Sequence, residues 1–269
     1  MEMIYLVFTY ILTGLLGLCI GSFLNVVIYR VPLGMSVAYP PSHCPNCHYK
    51  LKWYDNIPIL SYCILKGKCR GCGSHISLRY TIVELANMIF WLGSVFLFFS
   101  FDTYDIIRTV CMAVLASVLI CVCFIDWEHQ IIPDRFSVIL AVLGVVITVS
   151  DALLTDSRWM DHLIGLAVGG GFFLAVYLLA KLIYKREGIG FGDVKLMAAA
   201  GLYLGWIHTF IAVLIGSVTG SVILLIMKAK SKSERFTEYP FAPFLTVGIL
   251  IAAFFGDAIT LWYLNLLSF

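Results

Sequence analysis

What constrains this chain most is how much of it is written as long apolar runs. A membrane crossing needs about 20 apolar residues, at about 1.5 Å rise each, to cover about 30 Å of hydrocarbon. Eight stretches qualify or come near: about residues 3–29, 82–101, 106–126, 136–151, 162–184, 193–206, 208–228 and 242–264. Of the 269 residues, 61% are hydrophobic and 13% charged, against roughly 45–50% and 25% in soluble domains. A soluble globular fold is excluded, and the expectation is an all-α polytopic membrane protein with about eight transmembrane helices. The sixth run, at about 14 residues, is too short for an ordinary crossing. It reads as tilted, recessed or partial, and its first residue is Asp193. The first run does not read as a cleaved signal peptide: Glu2 stands where a basic segment is required, and the apolar stretch is too long.

The distribution of charge is more informative than the net value of +2. With eight crossings, all of the 18 lysines and arginines except Arg108 and Arg158 fall on one face. The positive-inside rule makes that face cytoplasmic and leaves both termini outside. Asp126, at the end of the third run, and Asp193, at the start of the sixth, then share the cytoplasmic face.

These two acids carry the chemical signal. Gly188, Gly190 and Gly192 lead directly into Asp193, and the apolar run from Val194 to Trp206 follows at once. Glycine permits positive φ and close approach of another chain, and an acid at the mouth of a membrane helix is costly enough to be a functional candidate. Asp126 occupies the matching costly position, followed by Glu128, His129, Pro133 and Asp134. Pro133 stops the helix and Asp134 is placed to cap the next one. Glu128 reads as a solvated loop residue, and His129 reads as a solvated loop histidine or a proton-transfer helper. Two carboxyls a few ångströms apart do not both ionise easily, which makes an acid and a base from identical groups. The ionised member can activate water while the protonated member polarises a carbonyl, and the pair titrates as a unit.

Residues 31–81 form a strongly basic segment between the first two runs. Within it, Cys44 and Cys47 make one CxxC pair, and Cys69 and Cys72 another. Two such knuckles supply four thiolates for a tetrahedral metal, and the spacing is that of a zinc ribbon. The expected cofactor is structural zinc on Cys44, Cys47, Cys69 and Cys72, because so short a loop buries little core of its own. A redox pair of CxxC motifs, or cysteines without metal, is the alternative. His43, His48 and His75 adjoin the knuckles but are surplus to a four-sulfur shell. The basic excess suits anionic lipid headgroups; no nucleic-acid reading motif accompanies it. Cys19, Cys111, Cys121 and Cys123 read as small buried hydrophobes.

Three further sets of residues carry alternatives. Gly21 and Ser22 permit close helix contacts, and Asn25 reads equally as an interhelical hydrogen bond or a chemical group. Glu84, near the start of the second run, is placed to pair with Arg79, to cap the helix, or to take part in chemistry. Gly165, Gly169, Gly170 and Gly171, with Ala198, Ala199, Ala200, Gly201 and Gly205, predict close-packed helix faces.

Taken together, these residues resemble the bacterial type IV prepilin peptidases, of the GxGD class of membrane aspartic proteases. The resemblance spans nearly the whole chain. It rests on the stretch from Gly21 to Arg30, both CxxC pairs, Asp55 to Pro58, Ser77 to Tyr80 with Val83 and Glu84, the turn from Asp126 to Asp134, and Gly190 to Lys195. It implies that Asp126 and Asp193 are the catalytic pair, and that the substrates are prepilins or pseudopilins. Their short basic leader would be cut at the cytoplasmic face of the inner membrane, typically just after a glycine. It also implies N-methylation of the new amino terminus from S-adenosylmethionine. That activity would belong to residues 1–101 with their zinc loop, and peptidase activity to residues 102–269. Thr81 departs from the proline that usually follows Arg-Tyr, and no glycine-rich turn marks a cofactor site. Two rival readings stand beside this one: an ion- or proton-coupled transporter using the same aspartates, and a membrane methyltransferase whose carboxylates are only structural. The sequence leaves the oligomeric state and the identity of the pilin system open.

Overall fold

A computed structural model describes residues 2–155, 159–184, 190–230 and 239–268. Glu187, Gly188 and Ile189 of the glycine run, Arg158 of the short outer connector, and most of the charged loop after Lys230 lie outside the described residues. The chain divides into two compact units. Unit 1 comprises Met1–Phe99 with Met112–Cys121, and unit 2 comprises Ser100–Cys111 with Val122–Phe269.

Among the described residues every regular element is helical, and no strand forms. The long helices are α1 (Glu2–Arg30), α3 (Arg79–Phe98), α4 (Thr103–His129), α5 (Asp134–Ser150), α6 (Trp159–Tyr184), α8 (Trp206–Lys230) and α9 (Ala242–Leu267). A short α2 (Leu60–Ile64) lies in the loop of unit 1, and α7 (Phe191–Leu204) lies in unit 2. Among the described residues, seven helices are long and apolar enough to cross a membrane. The remaining run, the sixth, is α7, whose 14 residues reach only about 21 Å at about 1.5 Å each. It is the short element that the sequence predicts.

In unit 1, α1 lies against α3 through glycine. A Cβ on Gly21 would sit 2.8 Å from Glu84 Cα, and one on Gly17 would sit 2.9 Å from Met88 Cα. That closeness lets buried polar side chains reach the neighbouring main chain. Asn25 Nδ2 donates to Tyr80 O at 3.1 Å, and Asn87 Nδ2 donates to Gly17 O at 2.7 Å. The interhelical reading of Asn25 is therefore realised. Asn87 Oδ1 accepts from the Ser117 hydroxyl at 2.7 Å, and the Ser117 oxygen accepts from the Trp91 indole at 2.9 Å. A buried polar chain of this kind fixes one helix register, because sliding would leave its members without partners. α1 ends at Arg30, two residues before Pro32. The buried Arg30 guanidinium donates to Ser36 O, Val37 O and Pro40 O, which folds the following loop back onto the helix end.

In unit 2, α7 is the central element, in contact with α5, α6, α8 and α9. From Asp193 to Leu204 only Lys195 and Ala198 are not buried. The small-residue faces act as expected at most positions. A side chain on Gly165 would collide with the Gly201 carbonyl, and one on Gly201 with the Gly165 carbonyl. Gly169 abuts Met197 O and Gly170 abuts Ala198, whereas Gly171 faces open space and is not part of this contact. We predict that Gly201→Val costs about 1–3 kcal/mol by overpacking. Its unfolding temperature in detergent should fall by about 3–10 °C. An unchanged transition would show that α6 and α7 do not meet at this point.

Candidate functional site

Two constructions stand out, one in each unit. In unit 2, Asp126 lies in the last turn of α4 and Asp193 in the first turn of α7, and both are buried. Gln130, with φ 54°, ends α4, its N–H bonded to Asp126 O. The chain then passes through Pro133 into α5, so Asp126 sits where the helix must stop. Its Oδ2 accepts from the Ala242 backbone N–H at 3.2 Å, at the start of α9. Asp193 is placed by the start of its own helix, where its amide donates to Gly190 O at 3.1 Å. The two carboxyls are near enough for the charge of Asp126 to act on Asp193.

The glycines work here by space rather than by unusual backbone angles. Gly190 is extended, with φ −67° and ψ 143°, and Gly192 is helical. A Cβ on Gly192 would meet Ile132 Cβ at 3.0 Å, so its hydrogen is what lets the turn after α4 approach α7. Gly188 lies outside the described residues. The same two segments are joined at the surface by Lys195 Nζ, which donates to Asp134 Oδ1 at 2.7 Å. This corrects the capping role expected of Asp134: Pro133 holds the N-cap position, and no side chain caps α5. Such an exposed pair is worth about 0–1 kcal/mol, so it registers the two segments more than it stabilises them.

In unit 1, the four sulfurs of Cys44, Cys47, Cys69 and Cys72 lie within 4.8 Å of one another. The two knuckles repeat each other bond for bond. His48 N donates to Cys44 O and Gly73 N to Cys69 O, both at 2.9 Å. Cys44 N donates to Tyr49 O at 3.0 Å and Cys69 N to Ser74 O at 2.8 Å. Each knuckle then turns through a left-handed residue, His48 (φ 57°) or Gly73 (φ 71°). Each is closed by a single antiparallel bridge, His43 with Lys50 and Lys68 with His75. His43 and His75 thus frame the knuckles.

A tetrahedron with metal–sulfur bonds of about 2.3 Å has edges of about 3.8 Å. The cross-knuckle separations, Cys44 to Cys72 and Cys47 to Cys69, are both 3.9 Å. That spacing fits a four-thiolate metal and is too wide for a disulfide, and the cysteines are free. Desolvation opposes ionisation of Cys44, but the backbone groups of Cys47 and Asn46 outweigh it and hold the thiol down to about 6.

Beside the knuckles, unit 1 encloses a cavity of about 670 Å³ between the C-terminal half of α1, the loop and the start of α3. Glu84 reaches it without pairing to Arg79 or capping α3. Its Oε2 accepts from the Ile59 backbone N–H at 2.8 Å. Asp55, which the sequence did not single out for a role, is buried and bonded to Arg70 Nε at 2.9 Å. Of the four scattered cysteines, Cys111 and Cys121 are buried as expected and Cys123 partly so, but Cys19 is exposed and lines this cavity.

Comparison with known proteins follows the same division. The family profile described as the Bacterial Peptidase A24 N-terminal domain matches residues 15–98. The one described as the Type IV leader peptidase family matches residues 113–225. A Stutzerimonas stutzeri protein named prepilin leader peptidase/N-methyltransferase is 35% identical over 275 residues, 93% of this chain and 92% of its own. Proteins of the same name from Legionella pneumophila and Pseudomonas aeruginosa are each 33% identical; they cover 96% of this chain, and 95% and 94% of their own lengths. No solved structure matches. These relatives lend no support to the transport alternative.

Proposed function

Because the chain belongs to the type IV leader peptidase family, we propose that it removes the basic leader from prepilins or pseudopilins through Asp126 and Asp193. The observation that carries this reading is the burial of both carboxyls at helix ends of unit 2, with Asp126 positioned by the Ala242 amide. The substrate's scissile peptide would lie extended across the pair. The ionised carboxylate takes a proton from water as the water oxygen attacks the carbonyl carbon, and the protonated partner donates to the carbonyl oxygen. Collapse of the resulting diol breaks the C–N bond, with the proton passing to the departing amine. The charge asymmetry of the loops favours the cytoplasmic face of the inner membrane as the side of cleavage.

We further propose that zinc occupies the four-cysteine cluster as a structural ion. The new amino terminus would then be N-methylated, the methyl group coming from S-adenosylmethionine. Residues 1–101 would carry that second reaction and residues 102–269 the first. The names of the relatives and the separate profile over residues 15–98 support this division. The test is an in vitro reaction on a purified prepilin, with and without S-adenosylmethionine, read by mass spectrometry. Loss of the leader mass in both reactions, with one added methyl mass only when the donor is present, is the expected result. Uncut substrate with well-folded protein removes the peptidase reading, and cleavage without methylation removes the second activity.

A further inference from the structure

The cavity of unit 1 has walls whose hydrogen bonding is incomplete in one particular sense. Glu84 is only 7% exposed, and its hydrogen-bond partner, the Ile59 amide, is neutral. A carboxylate offers about four acceptor positions, so positions remain, and a buried charge is normally paired. Among the described residues no basic group forms an ion pair with it. The two arginines that line the cavity are committed elsewhere: the Arg30 guanidinium to three carbonyls, and Arg70 to Asp55. One helical turn away across the α1–α3 contact, Asn25 is 3% exposed. Its Nδ2 is used twice, on Gly21 O and Tyr80 O, while its Oδ1 is buried with no donor. Thr81 Oγ1 is a second buried atom without a partner, and Asn25, Thr81 and Glu84 all line the cavity.

Unsatisfied acceptors and a buried acid without a counter-charge specify a ligand that donates several hydrogen bonds and carries positive charge. A primary ammonium does both. The cavity is in the 300–1,000 Å³ range of small-molecule sites, and Tyr29, Tyr80 and Phe23 supply aromatic surface beside the acceptors, the surface an organic cation favours. We infer that this cavity is a binding site for an organic α-ammonium group, held by Glu84 and Asn25. The inference rests on the methylation reading only for its two sources of that group: the amino-acid end of S-adenosylmethionine, and the free amino terminus of a cleaved pilin.

The test is equilibrium binding to the full zinc-loaded chain in detergent, by calorimetry, with paired probes. One pair is S-adenosylmethionine and its analogue lacking the α-amine. The other is a peptide with the mature pilin amino terminus and its N-acetylated twin. The expected result is that at least one amine-bearing probe binds and its amine-free twin does not, and the pair that discriminates identifies the source. Glu84→Gln should weaken the binding probe roughly 10- to 100-fold, the range for a lost bond to a charged group, and Asn25→Leu about 2- to 10-fold. Equal binding of both members of each pair, or no binding at all, overturns the site, and that comparison needs no variant to fold. Retained zinc and an unchanged elution volume are the controls for the variants. Methyl transfer measured on the same preparations separates the two readings. Transfer with unaltered binding in Glu84→Gln overturns the site and leaves the activity standing. Binding that depends on the amine and on Glu84, without transfer, supports the site and overturns the methylation reading.

Discussion

Asp126→Asn and Asp193→Asn should each lower the rate of leader removal by about 10²–10⁴-fold, the range for losing a positioned acid or base. Folding should be little affected, for a reason the site supplies. Asparagine keeps an acceptor oxygen, so position 126 can still take the Ala242 N–H, and at position 193 it matches aspartate in size. What is lost is the ability to exchange a proton with water or substrate. Because the two carboxyls act as a unit, the double variant should be scarcely slower than either single one. The measurement is the initial rate of leader loss by mass spectrometry, with folded protein quantified by gel filtration. A single variant within about tenfold of the parent rate, below the range expected for a lost acid or base, would remove that residue from the mechanism.

The second large effect concerns unit 1. Cys44→Ser with Cys69→Ser takes one ligand from each knuckle, and zinc content should fall from about one per chain to near zero. The consequence for the loop is severe because little else holds it. From residue 31 to 81 the buried residues are Val31, Cys44, Asp55, Gly67 and Cys69, so a single aliphatic side chain stands for a core. Structural zinc contributes about 10–16 kcal/mol in small zinc peptides, far more than that loop can replace. Limited proteolysis should therefore cut the variant within the loop while the parent resists. Metal analysis that finds no zinc in the parent, or full zinc in the variant, would reject a structural ion at this site.

The parts of this molecule legible in the sequence are those where a residue is chemically out of place. Asp126 and Asp193 interrupt apolar runs, the cysteines keep metal-ligand spacing inside a polar loop, and the glycines of α6 and α7 leave gaps at helical intervals. The Asp134–Lys195 pair and the Asn87–Ser117–Trp91 chain were not legible. Their members are ordinary polar residues, distant in sequence, and only the packing of the helices gives them partners. Glu84 shows the boundary between the two cases. Its position marked it as costly, but its donor comes from Ile59 in the loop, which no periodicity in α3 could indicate. Cys19 fails in the opposite direction: an apolar neighbourhood suggested burial, and the helix turns it toward the cavity instead.

The hydrogen bond on Asp126 comes from main chain, and this shapes how the site can change over generations. A donor of that kind is supplied by every amino acid but proline, so drift at position 242 leaves it intact. What restrains drift there is volume, since Ala242 has no exposed surface. Selection on the residue beside the aspartate is therefore steric, and a lineage could exchange alanine for glycine or serine without disturbing the chemistry next to it.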